Sequence, residues 1–298
     1  MADITLLDGS IGQELVKRSG DRPTPLWSTQ VMIDHPNLVR EVHRDYFAAG
    51  ATIASTNTYA VLRDRLKRVD IEHKFEYLTN TAVSAARQAQ VDHGEGRVAG
   101  ILGPLVASYR PDLCPPPVEA AQIYAENVEV MKDSVDLFML ETMCSVEQAE
   151  GTLRAAYGQG LPVWLAVSVN DDDGRLLRSG EPVFALRGIV DQYEIDAVLV
   201  NCSRPEAIPS ALDGIADFGL PYGAFANGFT KIADGFLVDA PTVDALEQRT
   251  DMGPEVYADH AMAWVDHGAT IVGGCCEVGP AHILAIAERL RESGHRIV

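Results

Sequence analysis

The sequence has no apolar run approaching the roughly 18 residues needed to cross a bilayer. Its opening MADITLLDGS carries neither a basic start nor a long apolar stretch, so it does not read as a signal peptide. Positive charge is scarce, with 24 Lys and Arg against 43 Asp and Glu, a formal net charge of −19. A field of that sign repels nucleic acid and anionic membrane, and no basic stripe overrides it, so neither is expected as a partner. Much of the acidity simply favours solubility. Cysteine is sparse as well. There are 5, an odd number, and two are adjacent, which argues against a secreted disulfide scaffold and for a reducing cytoplasm. The glycine-rich G-x-G-x-x-G phosphate loop is missing, since DGSIG at 8–12 has the wrong spacing. No Ser/His/Asp or Cys/His dyad signature, low-complexity tract, linker or short repeat is visible.

What is present is a regular alternation. Hydrophobic residues make up 47% of the 298, enough for a substantial core. Short β-branched or aliphatic runs at 4–7, 52–56, 98–102, 136–140, 163–167, 197–200, 222–226 and 270–272 predict eight strands, separated by segments with apolar spacing near 3.6. Residues 36–49 predict an amphipathic helix stopped by Gly50. A second helix at 118–131 follows a proline triplet, and a third at 146–157 has Ser145 as its N-cap. In the last helix Pro280 suits the first turn, Ile283, Leu284, Ala287 and Leu290 share a face, and Gly294 ends the run. Eight strands alternating with helices predict a parallel sheet that closes into a (β/α)8 TIM barrel, an α/β fold, in one domain over 1–298. A doubly wound open sheet is the rival reading.

In such a barrel the loops after the C-terminal strand ends carry function. Those loops hold Asp8, Asn57, Gly103-Pro104, Glu141, residues 168–170, Asn201-Cys202, Asn227 and Gly273-Gly274-Cys275-Cys276. Cys202 and Cys275 are 73 residues apart in sequence. Strands six and eight of a closed barrel are nonetheless separated by a single strand, so three thiols can converge. Soft sulfur ligands in tetrahedral geometry suit zinc, and three protein ligands leave a fourth position open for catalysis. The two glycines before Cys275 would let the backbone bend so that adjacent cysteines reach one ion. From spacing alone this reading stands level with a set of inert buried cysteines, which fits Cys114 and Cys144; a strained vicinal disulfide at 275–276 ranks last.

The residues also carry a resemblance. VNCSRPEAI at 200–208 and GGCCEVGPAHILAI at 273–286 resemble the homocysteine S-methyltransferase family, as do LLDGSIGQEL at 6–15, the long block 25–59, ETMCSVEQAE at 141–150 and RLLRSGEP at 175–182. These matches run in family order from residue 6 to residue 290. The resemblance implies a zinc-binding (β/α)8 barrel in which Cys202, Cys275 and Cys276 hold the metal. It implies an S-methyltransferase with homocysteine as methyl acceptor, a small-molecule methyl donor, and methionine as product. It also implies that Glu141, with Asp8 assisting, holds the amino group of homocysteine. Gly9 and its turn would present backbone N–H groups, while Trp27, Asn57 and Asn227 line the substrate site. Capping or a structural ion pair is the plain alternative for the two acids, and an ordinary core position for Trp27.

The chain departs from its resemblance in two places. Betaine-using relatives carry a tyrosine after the strand-four glutamate and an aromatic pair after strand two, where this chain has Thr142 and, in Asn57-Thr58-Tyr59, one aromatic. That leans toward a sulfonium donor such as S-methylmethionine or S-adenosylmethionine. In AFANGFTKIADGF at 224–236, Thr230 replaces the family glutamate, which leaves open a different small thiol as acceptor. A corrinoid or folate route would need a separate partner protein, and a homo-oligomer is the other association left open. A metal-assisted hydrolase would want a His or carboxylate ligand set, which is not found. Of the histidines, those at 35, 43, 73, 260 and 267 fall in helical stretches and His282 in the last helix, where structural roles prevail.

Overall fold

The computed structural model describes residues 1–21, 24–232, 237 and 246–298. Nine parallel strands form its sheet: β1 Asp3–Leu6, β2 Ile53–Ser55, β3 Arg97–Leu102, β4 Leu137–Met143, β5 Val163–Val167, β6 Ala197–Asn201, β7 Tyr222–Phe225, β8 Ile271–Val272 and β9 Arg296–Ile297. From β2 through β8 each strand pairs with the next in sequence, and β8 pairs with β1. Closure follows at the other edge of β1, where Leu7 bridges Ile53 and the Thr52 N–H donates to the Leu6 carbonyl at 2.7 Å. The eight expected strands are therefore present as a closed (β/α)8 barrel, and the open-sheet rival is excluded.

β9 is an addition that the sequence reading lacked. Arg296 and Ile297 run beside Asp3 and Ile4 below the point where β2 takes over that edge. The two-residue strand is too short to register as a pattern. The Arg296–Asp3 ion pair marks where the terminus lies against β1.

Period-two alternation sorts the side chains. Ala99, Ile101, Leu137, Met139, Trp164, Ala166, Ala197, Leu199, Phe225 and Ile271 fill the barrel interior. Their neighbours Val98, Phe138, Leu140, Leu165, Val198 and Val200 face outward under the helices. Helix ends follow local chemistry. Pro36 starts the helix Pro36–Ala49, and Gly50 follows it at φ 108°. Ser145 Oγ accepts from the Gln148 N–H at 3.0 Å to open Val146–Ala156. The last helix, Pro280–Glu292, gives way to Gly294 at φ 78°. Among the described residues no helix is long and apolar enough to cross a membrane.

One boundary matters for function. β4 runs three residues past the expected end, so Glu141 lies inside the strand rather than after it. Its register with β5 shifts between Leu140 and Met143, and Thr142 sits at φ 62°. Such a bulge re-aims side chains at a barrel rim.

Candidate active site

A cavity opens at the C-terminal end of the barrel. Its wall includes Asp8, Gly9, Trp27, Asn57, Tyr59, Tyr109, Glu141, Phe229 and the three cysteines 202, 275 and 276. The sulfur side is built by main chain. The β7 end acts as a spacer: the Phe225 carbonyl accepts from the Cys202 N–H at 3.3 Å, and the Ala226 carbonyl accepts from the Cys275 N–H at 2.9 Å. The Gly228 N–H then donates to the Cys276 carbonyl at 2.8 Å. Three loops thus lock together, and the three sulfurs lie within 4.8 Å of one another. Gly273 and Gly274 have no positive φ; the unusual backbone falls instead on Glu277, at φ 66°. What Gly274 supplies is room, since a Cβ there would run into Val278.

Cys202 and Cys275 are joined as a disulfide with Cα atoms 5.7 Å apart, while Cys276 is a free thiol. The bond links the two distant loops and not the adjacent pair. A disulfide sulfur is not a thiolate, so the form able to take a metal is the reduced one. Burial, with Glu277 and Glu141 nearby, pushes the Cys276 thiol up to about 12. A bound cation would invert that preference by favouring the anion. Three soft donors within 4.8 Å suit a tetrahedral, sulfur-preferring ion.

The acid side is carried on strand ends. Both Asp8 oxygens are engaged by Ser55, Oδ2 by its N–H at 2.6 Å and Oδ1 by its hydroxyl at 2.7 Å. That joins the top of β1 to the top of β2, so Asp8 helps close the barrel while facing the cavity. Burial nevertheless dominates and raises its carboxyl to about 7. Glu141 keeps some accessible surface, yet the surrounding protein desolvates it, and with Asp8 nearby its carboxyl rises to about 8. The turn at Thr142 that aims it is pinned to Asn201 by two bonds, Thr142 N–H to Oδ1 at 3.0 Å and Nδ2 to the Thr142 hydroxyl at 3.1 Å.

Aromatic rings form the wall between these sides. Trp27 is half-buried, donates from Nε1 to Gln13 at 2.8 Å and meets Tyr59 edge-on at 6.1 Å. Gln13 also donates to Glu277 at 2.6 Å, which links the indole to the residue after Cys276. Tyr59 bonds the Ser108 hydroxyl at 2.9 Å, and burial raises its phenol to about 12. Asn57 lines the cavity and donates to the Ser28 carbonyl at 3.3 Å. Gly9 allows a tight approach, because a Cβ would lie 2.8 Å from the Tyr46 ring.

Asn227 is the expected residue that does not reach the wall. It is fully buried, outside the lining, and its Oδ1 accepts from the Phe229 N–H at 3.1 Å. Its effect is to shape the turn that presents Phe229. The departing stretch 224–236 is described only to residue 232; residues 233–236 lie outside the described residues. His282, by contrast, is structural in its contacts, with Nδ1 accepting from the Gly279 N–H at 3.2 Å. His43 is fully buried and held neutral, its pKa lowered to about 4 by desolvation.

Sequence reasoning missed Tyr109, Ser55 and Phe229. Tyr109 follows the Gly103-Pro104 rim of β3 by several residues, and only the rim rule hinted at it. Backbone strain offers a better marker in retrospect. Of the eight described non-glycine residues at positive φ, Trp27, Val106, Tyr109 and Cys202 line the cavity, while Asp70, Thr142 and Glu277 directly follow lining residues. Each costs about 1–3 kcal/mol and persists where the surroundings over-determine it, a pattern that clusters at active sites.

Comparison with known proteins agrees. A family model described as homocysteine S-methyltransferase matches residues 5–290. The chain belongs to the homocysteine S-methyltransferase family. It is 30% identical to a homocysteine S-methyltransferase of Escherichia coli (strain K12), over 96% of this chain and 95% of that one. A selenocysteine Se-methyltransferase of Brassica oleracea var. italica is 27% identical, over 96% and 88% of the two chains. The solved homocysteine methyltransferase MmuM of Escherichia coli matches with a TM-score of 0.79 in its metallated form and 0.80 in its oxidized form. In both cases identity is 27% and 96% of each chain is covered. As a homocysteine S-methyltransferase family member the protein is an S-methyltransferase, and its cysteine cluster is one that can hold a metal ion.

Proposed function

We propose that this protein, acting as one folded unit over 1–298, methylates the thiol of homocysteine from a sulfonium donor, S-methylmethionine or S-adenosylmethionine, to give methionine. Family membership supports the acceptor. The observation that carries the reading is the meeting of three sulfurs from two loops at a cavity that also holds two carboxyls and several aromatic rings. In the reduced protein Cys202, Cys275 and Cys276 would hold zinc, which supplies Lewis-acid stabilisation of a thiolate at neutral pH.

The protein's own residues do the rest. Glu141, with Asp8 beside it, accepts hydrogen bonds from the substrate ammonium and becomes ionised as it does so. Trp27, Tyr59, Tyr109 and Phe229 exclude water and offer π-faces to a methyl group bearing positive charge. With the thiol proton released to solvent, the homocysteine sulfur forms a bond to the methyl carbon, the bond from that carbon to the donor sulfur breaks, and its electron pair stays on the donor. The donor leaves as a neutral thioether, so no general acid is needed. Opposite charges cancel in this step, and a dry cavity favours it.

Tyr109 bears on donor choice. Thr142 turns toward Asn201, but a tyrosine from the β3 loop supplies an aromatic face, so betaine remains a comparison donor. The test is methionine formation by reduced, zinc-loaded protein with S-methylmethionine, S-adenosylmethionine and betaine, and with a selenol acceptor as a further arm. Transfer from a sulfonium donor to homocysteine is expected. No transfer from either sulfonium, at full zinc occupancy, overturns the donor reading.

A further inference from the structure

The left-handed backbone of Cys202, at φ 46°, demands support that its own residue type does not provide. Its carbonyl receives two donors: the Ser168 hydroxyl at 3.0 Å and Arg178 Nη2 at 3.2 Å. Arg178 Nε also donates to Ser168 Oγ at 2.7 Å, so both donors belong to one fork. The other side of the guanidinium pairs with Asp171 through two bonds, 2.9 and 3.3 Å, with the two side chains only 11% and 8% exposed. Asp171 in turn accepts from the N–H of Arg204, two residues after Cys202, at 3.1 Å and from that of Ile232 at 3.0 Å. The guanidinium carbon lies over the Tyr109 ring, 4.8 Å from its centroid. Arg178 is not itself among the cavity-lining residues.

We infer that Arg178 is a positioning residue that sets the affinity of the cysteine site for its metal by holding the Cys202 carbonyl, and with it the Cys202 backbone, in place. Only arginine can do this. Its planar fork serves Ser168, Asp171 and Cys202 at once while its carbon sits over the Tyr109 ring, whereas a lysine ammonium is a single point. Charge is a weaker explanation, because Asp171 neutralises the guanidinium within hydrogen-bond distance. Groups that orient metal ligands from behind typically change metal affinity by about 10–100-fold when removed. The inference rests on the zinc reading above, and the two can fail separately.

The test compares the zinc dissociation constants of four reduced proteins by chelator competition: wild type, Arg178→Lys, the double variant Arg178→Met with Asp171→Asn, and Ser168→Ala. The double variant removes both buried charges together, and thermal unfolding reports whether the barrel remains. Expected are a dissociation constant raised about 10–100-fold in the double variant at a near-native melting temperature, no restoration by lysine, and a smaller rise in Ser168→Ala. Zinc affinity equal to wild type in a folded double variant overturns the inference, as does full restoration by lysine, which would mean that charge and not the fork is what counts. If the double variant does not fold, Arg178→Lys decides: wild-type affinity in the folded lysine variant overturns the proposal and weakened affinity supports it. A wild type that takes up no zinc defeats the underlying zinc reading instead.

Discussion

The two sides of the cavity are made differently. The sulfur side is held by main-chain bonds among the ends of β6, β7 and β8, with Cys202 and Glu277 in strained conformations. The acid side consists of single carboxylates on strand ends, one clasped by Ser55 and one aimed by the β4 bulge. The first arrangement fixes the spacing of soft donors and answers to redox state. The second leaves carboxyls poised between neutral and ionised, and answers to pH and to a cationic ligand. The proposed reaction, in which one end activates sulfur and the other grips an ammonium, would use both.

The contrast breaks most severely at Cys276. Cys276→Ser should lose zinc and reduce methyl transfer on the order of 10³-fold, since a catalytic metal contributes several kcal/mol. Metal analysis beside a methionine assay checks it, and a variant with full zinc and full activity would sink the central assignment. Redox state comes next. Oxidised protein should present three titratable thiols after unfolding, those of Cys114, Cys144 and Cys276, and take up no zinc. Reduction should expose two more thiols and restore uptake together.

The acid side should respond more gently. Glu141→Gln should raise KM for homocysteine by about 10–100-fold while leaving zinc content intact, because one charge-assisted bond of about 1.5–3 kcal/mol is lost. A shift in metal content instead would merge the two sides into one unit. The pH dependence has a definite sign. Asp8 and Glu141 are raised to about 7 and about 8, so the folded, ligand-free protein favours their protonated forms. Their contribution to stability is full below the ordinary carboxyl range and is lost as pH climbs through those values. Denaturant titrations across that window should show the decline, and Glu141→Gln should flatten its upper part. Smallest is Ser55→Ala. It removes the hydroxyl from Asp8 Oδ1 but keeps the backbone donor, and should lower stability by about 1 kcal/mol.

Much of this was legible in the chain. Alternating short apolar runs and 3.6-period segments dictated a parallel sheet covered by helices, and their number favoured the (β/α)8 barrel that the Leu7–Ile53 closure then established. The rim rule then gathered Asp8, Glu141, Asn57 and the three cysteines without further information. Asn227 shows the limit. A residue just past β7 is on the rim by sequence, but whether it faces the cavity depends on the turn at Phe229. Tyr109 shows the converse, reaching the wall from well inside a long loop.

Sequence by itself determined which residue types meet at the C-terminal end of the barrel, since strand order and side-chain period are local properties of the chain. Tertiary structure alone decided their aim. The bulge that turns Glu141, the strained backbone of Cys202 and the Arg178 fork behind it all depend on contacts between loops far apart in sequence, and no local pattern encodes such contacts.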